Sequence, residues 1–458
     1  MQMQDVSEGQ LCGMVHGAIL PWRDARYRPD MFAAYREALR LPGTLRFSAT
    51  GFVARLPVAM VGLGIVLLVS GTTGSYAAAG VLSAAFQLPA ALGAVISSRW
   101  IDRVGQHRLL PWLASLNATF LILFVVTVER SAPFVLQIVV VALAGICQPA
   151  IGSMVRARWA SATQGGPLLR SAFALESILD EGVFTVGPLV TAFLAFQIGL
   201  PLPVILGAGL GLAGGLALAL QRRTEPIPRR TAPVGDAVHH RGAIRQPGVL
   251  LVVAAAIGVG TVFGSFEVAV VAFTQQAGSP GSSGIVLAIW ALGSMLGGIW
   301  FGSRSWRMTL GRQVMLLSGL LAVALLLAPF SPSILFLAGA TTVAGVAIAP
   351  TLIALFSLTE RLVPAHQLTE GLTWTNSGLA IGFSAGTAGA GLLVDAFGPA
   401  WGFVLSVVGA TLASVVAVAG QGSFRRADTA KPPSEPVQAW IDDPLPGPQP
   451  GAIADDPR

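Results

Sequence analysis

The sequence predicts an all-α integral membrane protein with twelve transmembrane helices in two pseudo-symmetric six-helix bundles. Three observations lead to this prediction: 53% of the 458 residues are hydrophobic, only 11% are charged, and the arginines are confined to alternate loops. Soluble domains carry about 25% charged residues because water must solvate their surface. We therefore expect lipid to be the main solvent of this chain.

Spanning helices need roughly 20 mostly apolar residues each. The chain contains twelve such segments, which we number TM1 to TM12 in chain order. They are predicted near residues 47–70, 76–98, 109–128, 134–155, 171–196, 201–220, 249–273, 284–302, 313–330, 333–357, 371–394 and 401–419.

The positions of the basic residues orient these segments. All but two of the 28 lysines and arginines fall in the terminal segments, the central loop or alternate hairpins; the exceptions are Arg130 after TM3 and Arg55 inside TM1. Cytoplasmic loops carry such an excess of basic residues. We therefore expect a multi-pass protein of the cell inner (plasma) membrane with both termini in the cytoplasm.

Composition divides the chain into five regions. A Pro-rich, acidic tail cannot bury a core and is expected to be disordered, and a basic, proline-containing loop separates the two bundles. The predicted regions are a cytoplasmic N-terminal segment 1–46, a first bundle 47–220, the central loop 221–248, a second bundle 249–419 and the tail 420–458.

The two bundles share local sequence features. Segments 80–99 and 284–303 both begin with glycine and carry Gly93 and Gly297 at the same offset. In addition, Pro149 near the end of TM4 corresponds to Pro350 near the end of TM10. These matches indicate an internal repeat of the kind found in two-halved secondary transporters.

The hairpin after TM2 reads SRWIDRVGQHRLL, residues 98–110. It resembles the signature of the major facilitator superfamily through Asp102, Arg103, Gly105 and Arg108. In TM5, GVFTVGPLV resembles the motif of that superfamily's drug/proton antiporters through its two glycines and proline, which are Gly182, Gly187 and Pro188.

These resemblances imply roles for the matching residues. Asp102 is expected to meet the N-terminus of TM11 near 369–371 and to latch the halves in one state, or else to be only a solvated topology signal. An anion at a helix N-terminus is favourable by about 0.3–1 kcal/mol when exposed. The TM5 motif is expected to let TM5 bend and approach TM8, or to serve ordinary packing by small residues.

Ionisable side chains inside membrane spans are costly and are functional candidates by default. The first of these are Arg55 in TM1 and Glu176 in TM5, which lie at similar depths, so we expect an ion pair with a structural or gating role. Arg158 or Arg170 could instead reach Glu176 from the loop.

Three further acids lie inside the spans: Asp180 and Glu181 in TM5 and Glu267 in TM7. The sequence places no cation at the depth of Asp180 and Glu181. Burial and a neighbouring like charge both favour the protonated acid, so at least one should hold a proton near neutrality. All three are candidates for proton coupling. The alternative is that one TM5 acid pairs with an arginine and the other bonds to a backbone carbonyl.

The superfamily's cavity is lined by TM1, TM4, TM7 and TM10, with contributions from TM11. These segments offer few polar groups here, so an amphipathic or largely apolar solute is expected. The candidates for substrate contact are Gln148, Thr261, Ser265, Trp374 and Asn376.

We therefore expect a transporter rather than an enzyme, exporting a drug-like or natural-product molecule by proton-coupled alternating access, as in multidrug resistance. The expected partners are a small molecule, protons and the bilayer; no cofactor, metal or nucleic acid is expected, and the chain is expected to be a monomer. The only lysine, Lys431, precedes two prolines, which excludes a phosphate-binding loop of the ATPase type. Uptake of a small metabolite is the main alternative, and a non-transporting membrane sensor is a further one.

Overall fold

The structure is a computed structural model that describes residues 31–164, 168–226, 243–246, 248–302, 304, 306, 308–364 and 367–429. Within these ranges the regular structure is helical, with no β-strand. Twelve helices of the described part of the chain are long and apolar enough to cross a membrane, which confirms the predicted fold class, and each of them overlaps one predicted span.

Each of the spans TM1 to TM12 is a single helix except TM4, which consists of two pieces. They are Thr44–Thr73, Tyr76–Val104, Gln106–Glu129, Phe134–Ile146 with Ile151–Ala162, Leu168–Gln197, Leu202–Leu220, Val249–Gln276, Ser282–Gly302, Leu310–Leu325, Ile334–Leu362, Leu368–Phe397 and Pro399–Thr429. A further helix, Met31–Arg40, precedes TM1 and packs against TM5. Three short 3₁₀ turns are Arg222–Thr224, Ala243–Arg245 and Ala328–Phe330.

Two helices differ from their predicted form. TM4 is interrupted around Pro149, whose ring and missing N–H group disrupt helical hydrogen bonding. The corresponding Pro350 lies inside a continuous TM10, so the two prolines do not have the same effect. TM12 continues to Thr429, past its predicted end at 419. The remainder of the predicted disordered tail, like the central loop from 227 to 242, lies outside the described residues.

The internal repeat is visible as the same helix contact in both halves. A Cβ atom built on Gly93 of TM2 would lie 2.1 Å from the carbonyl oxygen of Ile146 in TM4. A Cβ atom on Gly297 of TM8 would lie 2.0 Å from the carbonyl oxygen of Val346 in TM10. Small residues let helix backbones approach closely in membranes. The glycines that match in sequence therefore make equivalent contacts in the two bundles.

Replacing either glycine should destabilise its bundle. A methyl group at Gly93 or Gly297 must push two helix backbones apart, and overpacking of this kind costs about 1–3 kcal/mol. We expect Gly93→Ala and Gly297→Ala each to lower the melting temperature and the yield of monodisperse protein. Gly209→Ala in TM6 is the matched control, because a Cβ atom there meets nothing within 4 Å. Equal stability of all three variants would contradict the packing role.

The two halves approach each other most closely at one end of the bundle. We call the end with the arginine-bearing hairpins after TM2, TM4 and TM8 the basic end, and the other the opposite end. Cβ atoms built on Gly80 of TM2 and Gly391 of TM11 would lie 2.2 Å and 2.1 Å from the carbonyl oxygens of Thr387 and Tyr76. All four residues lie near the opposite end, so TM2 and TM11 close the bundle there.

TM5 and TM8 make a second contact between the halves. A Cβ atom on Gly284 of TM8 would lie 2.5 Å from the carbonyl oxygen of Pro188 in TM5. The glycines of the same TM5 motif face TM1 instead: a Cβ atom on Gly187 would lie 2.6 Å from Cβ of Ala59, and one on Gly182 would lie 3.5 Å from the Phe52 ring. The expected approach of TM5 to TM8 is thus made through Pro188, whereas the glycines pack TM5 against TM1.

Candidate functional site: a cavity between the two halves

A cavity of about 570 Å³ lies between the two halves. Seven helices contribute to it: TM1, TM2 and TM5 from the first half, and TM7, TM8, TM10 and TM11 from the second. Contrary to the expectation from the superfamily, no described residue of TM4 lines it. The lining includes Gly62, Gln87, Glu181, Phe184, Phe263, Glu267, Trp290, Ser294, Asn376 and Phe383.

The cavity lies on the basic-end side of the contacts that join the halves. In TM2, Gln87 follows Gly80 toward the basic end, and in TM11 Phe383 and Asn376 precede Thr387. Asn376 is also exposed. The cavity is therefore closed toward the opposite end by the contacts of TM2 with TM11 and of TM5 with TM8.

The lining is largely apolar and aromatic. Phe184, Phe263 and Phe383 contribute rings from TM5, TM7 and TM11. Trp290 stacks on Phe263 with ring centroids 5.9 Å apart, and its buried indole N–H has no hydrogen-bond partner among the described residues. A buried donor left unpaired is unfavourable.

Glu267 is the central polar group of the cavity. Gly260, Phe263 and Glu267 share one face of TM7 because they are spaced by three and four residues. The Oε1 atom of Glu267 is buried and has no hydrogen-bond partner within the described part of the chain. A Cβ atom on Gly62 would lie 3.8 Å from this oxygen and 3.6 Å from Nε2 of Gln87. Polar groups from both halves thus flank one glycine of TM1.

Arg55, Glu176 and Asp180 form a charged cluster beside the cavity. The predicted pair of Arg55 and Glu176 is confirmed, and both side chains are buried. Glu176 also accepts hydrogen bonds from the Ser48 hydroxyl and from the indole N–H of Trp159, the latter at 2.8 Å. The cluster therefore ties TM1, TM4 and TM5 together inside the first half.

Asp180 is paired as well, which corrects the sequence-based prediction that no cation reaches its depth. Its carboxylate oxygens lie 2.7 Å from Nη1 of Arg55 and 2.6 Å from Nη2 of Arg156. The prediction failed because TM4 extends to Ala162, so that Arg156 lies inside the span rather than in the loop. Neither Arg55 nor Arg156 bonds to Glu181 in the described set of ion pairs.

Glu181 differs from its neighbour. One residue along a helix rotates a side chain by 100°, and Glu181 lines the cavity whereas Asp180 faces the arginines. Arg158, considered as a partner for Glu176, instead donates to Gln106 and to the carbonyl oxygen of Leu218. The side chain of Arg170 lies outside the described residues.

The motif after TM2 occupies the end of that helix. TM2 ends at Val104, and Gly105 follows with φ of +98°, a conformation that favours glycine. Arg103 and Arg108 lie on either side of this turn, and both are exposed at the basic end. The side chain of Asp102 is not among those described, so its contact with TM11 stays a prediction.

Of the five predicted substrate contacts, only Asn376 lines the cavity. Ser265 is buried and bonds to the Ser406 hydroxyl of TM12 at 2.7 Å, and the Thr261 hydroxyl donates to Ile257 of its own helix. Gln148 and Trp374 are not among the described lining residues either.

Sequence reasoning missed Gln87, Trp290 and Ser294, because TM2 and TM8 were not expected to contribute. One signal could have found Gln87: it lies seven residues after Gly80, on the face of TM2 that meets the other half.

Comparison with known proteins gives the same architecture. The sequence profile of the Major Facilitator Superfamily matches residues 47–308 and 268–446. No curated protein sequence is significantly similar to this chain.

Solved transporter structures are similar in fold. A mutant of the nucleoside transporter NupG has a TM-score of 0.67 at 14% identity, with 83% of this chain and 99% of that chain covered. A bacterial homologue of the human lysosomal transporter Spinster, inward-facing and unoccupied, has a TM-score of 0.62 at 17% identity, covering 87% and 98%. A bacterial homologue of the iron transporter ferroportin, also inward-facing, has a TM-score of 0.60 at 14% identity, covering 82% and 98%. At these identities the likeness concerns the fold alone.

Proposed function

Because this chain belongs to the Major Facilitator Superfamily and has the fold of its transporters, we propose that it exports an amphipathic, drug-like or natural-product molecule by proton-coupled alternating access. In this proposal the protein lies in the plasma membrane with its basic end in the cytoplasm. The cavity then faces the cytoplasm, where an exporter must collect its substrate.

The observation that carries the proposal is the environment of Glu267. Its carboxyl group faces an apolar cavity, and its buried oxygen has no partner in the described structure. A carboxylate without a partner is unfavourable inside a membrane protein, and binding a proton removes that penalty. A site that binds a proton when occluded and releases it when hydrated is what proton coupling requires. Glu181, on the same cavity, is the second candidate.

Asp180 is assigned a different role in this proposal. Its two arginine partners stabilise the carboxylate in its charged form. Proton exchange at Asp180 would have to disrupt both ion pairs. We therefore assign Asp180 to the charged cluster with Arg55 and Glu176, and we assign proton coupling to the two acids that line the cavity.

The lining supports an amphipathic substrate rather than a sugar-like one. Three phenylalanines and Trp290 offer apolar surface, whereas the polar contacts are limited to a few groups such as Gln87, Ser294 and Asn376. Ligand pockets with mostly apolar walls and a few placed polar groups fix the orientation of largely apolar ligands. A densely hydroxylated solute would lose more hydrogen bonds to water than these groups replace.

The test is transport of a fluorescent lipophilic dye, such as ethidium, into everted membrane vesicles with an imposed proton gradient. We expect accumulation that an uncoupler abolishes. If no amphipathic cation or neutral dye moves in these vesicles, whereas right-side-out vesicles accumulate a small metabolite, the export proposal is wrong and uptake is the better interpretation.

Gly62 should control access to the polar groups of the cavity. The methyl group of Gly62→Ala would make ordinary van der Waals contact with both Gln87 and Glu267, so the fold should tolerate it while the space between them is filled. One methylene group in a binding site changes specificity by about 10- to 200-fold. We expect the KM for dye export to rise about tenfold. Gly339→Ala, where a Cβ atom meets nothing within 4 Å, is the control; an equal KM in both variants would contradict this assignment.

A further inference from the structure

TM11 ends with an acidic residue in an unfavourable position within its own helix. Asp395 lies in the last turn, shortly before Gly398, whose φ of +93° accompanies the end of the helix. The C-terminal turn of a helix carries partial negative charge, so an aspartate there is destabilising unless it is compensated elsewhere. A stabilising contact outside TM11 is therefore expected.

That contact is with the other half of the protein, at the start of TM2. Asp395 accepts hydrogen bonds from the Ser75 hydroxyl and from the backbone N–H groups of Tyr76 and Ala77, each at 2.8 Å. The first N–H groups of a helix have no partner within the helix and carry partial positive charge. The carboxylate of one half thus caps a helix of the other half.

Neighbouring contacts place this cap within the closed end of the bundle. The Tyr76 hydroxyl donates to Oε1 of Gln275 at the end of TM7. On the same face, Gly391 and Gly80 allow TM11 and TM2 to touch backbone to backbone. The hydrogen bonds described between the two halves lie at this opposite end.

The sequence around Asp395 repeats that around Asp102. Asp-Arg-Val-Gly, 102–105, ends TM2, and Asp-Ala-Phe-Gly, 395–398, ends TM11. Both glycines have positive φ, and their N–H groups bond the carbonyl oxygen four residues back at 2.8 and 2.9 Å. Since TM2 and TM11 run antiparallel, the two aspartates lie at opposite ends of one helix pair.

We propose that Asp395 is the latch of the opposite end: it holds the halves together while the cavity faces the basic end, and it detaches from TM2 when the protein opens to the other side. TM2 and TM11 then carry reciprocal latches, each made by an aspartate of one helix and the N-terminus of the other. The inference rests on the alternating-access part of the proposed function and not on the substrate or the coupling ion.

Spin-label distance measurements in lipid bilayers test the latch. Labels on Ile198→Cys and Phe330→Cys, in a chain with Cys12 and Cys147 replaced, report the separation of the halves at the opposite end, where both side chains are exposed. We expect Asp395→Asn to raise the ratio of long to short distances by roughly 5- to 30-fold, the effect of losing one or two kcal/mol. Glu129→Gln removes a charge at the same end without touching the latch and should leave the ratio unchanged.

A second pair of variants tests the TM2 side of the latch. Ser75 is extended, with φ −111° and ψ 117°, which is the conformation favoured before proline, and proline is well accepted as the first residue of a helix. Tyr76→Pro removes a backbone donor to Asp395, whereas Tyr76→Ala keeps it, and both lose the bond to Gln275. We expect more of the long distance in the proline variant.

Two results would overturn the latch: an Asp395→Asn ratio equal to that of the parent, or equal ratios in Tyr76→Pro and Tyr76→Ala. The measurement uses neither substrate nor proton gradient. Its outcome is therefore separate from that of the vesicle assay, and either proposal can fail while the other holds.

Discussion

Replacing Glu267 by glutamine is expected to abolish proton-driven dye accumulation in everted vesicles while leaving the fold and dye binding intact. Glutamine has nearly the same shape as the protonated acid but cannot release a proton. Glu267 is held in position by its own helix and not by an ion pair described in the structure. The change should therefore remove the exchangeable proton while the packing around the side chain stays the same. Accumulation should fall to that of vesicles lacking the protein.

Exchange without a gradient separates coupling from transport. If Glu267 carries the coupling proton, Glu267→Gln should still exchange labelled dye across the membrane at equal concentrations, since the neutral side chain mimics the protonated state. Glu129→Gln, at an exposed position outside the cavity, is the matched control and should behave as the parent. Full proton-driven accumulation by Glu267→Gln would refute the assignment.

Two further variants test which acid of TM5 takes part in proton coupling. Glu181→Gln changes the second acid of the cavity, whereas Asp180→Asn changes the acid held by two arginines. If coupling belongs to the cavity acids, Glu181→Gln should reduce the proton dependence of transport more than Asp180→Asn does. A larger reduction in Asp180→Asn than in Glu181→Gln would indicate that Asp180 takes part in proton coupling.

The twelve helices could be predicted from the sequence because the thickness of the bilayer sets their length and because basic residues occur in every second loop. Depth along a helix was predictable too: Arg55 and Glu176 were paired from their positions alone. Each residue advances a helix by 1.5 Å, so counting from the end of a span gives its depth. The same counting missed Arg156, because the predicted end of TM4 was several residues too early.

The direction in which a side chain faces was much less predictable. Ser265 and Glu267 are two residues apart in TM7, yet Ser265 bonds to TM12 while Glu267 lines the cavity. Both are polar residues in an apolar helix, so hydropathy does not show which of them faces a neighbouring helix and which faces the cavity. Rotation of a helix about its axis is set by the packing of all its neighbours, and contacts such as that of Gly187 with Ala59 become visible only in the assembled bundle.

Replacing Arg55 by methionine is expected to destabilise the protein by about 3–5 kcal/mol, the usual effect of removing one partner from a buried ion pair. The side chain of Glu176 is 0% exposed, and that of Arg55 is 5% exposed. Without the guanidinium, Glu176 would keep Ser48 and Trp159 as its only donors among the described residues. The free energy of unfolding in mixed micelles measures the loss.

The double variant Arg55→Met with Glu176→Gln should recover much of that stability. A neutral amide removes the uncompensated charge, and replacing both members of a buried pair is often close to neutral. Recovery of this kind would show that the single variant suffers from an unpaired carboxylate and not from lost packing of the arginine stem. A double variant no more stable than Arg55→Met would contradict the ion-pair explanation.

Arg156→Met is the matched comparison within the same cluster. Its side chain is 37% exposed and its partner Asp180 is 30% exposed. Without Arg156, Asp180 keeps the ion pair with Arg55 at 2.7 Å, so we expect a smaller loss of stability than in Arg55→Met. A large loss of stability in Arg55→Met and a small loss in Arg156→Met would show that the buried pair of Arg55 and Glu176 holds TM1, TM4 and TM5 together. The first half could then move as one rigid unit while the acids of the cavity stay free to exchange protons.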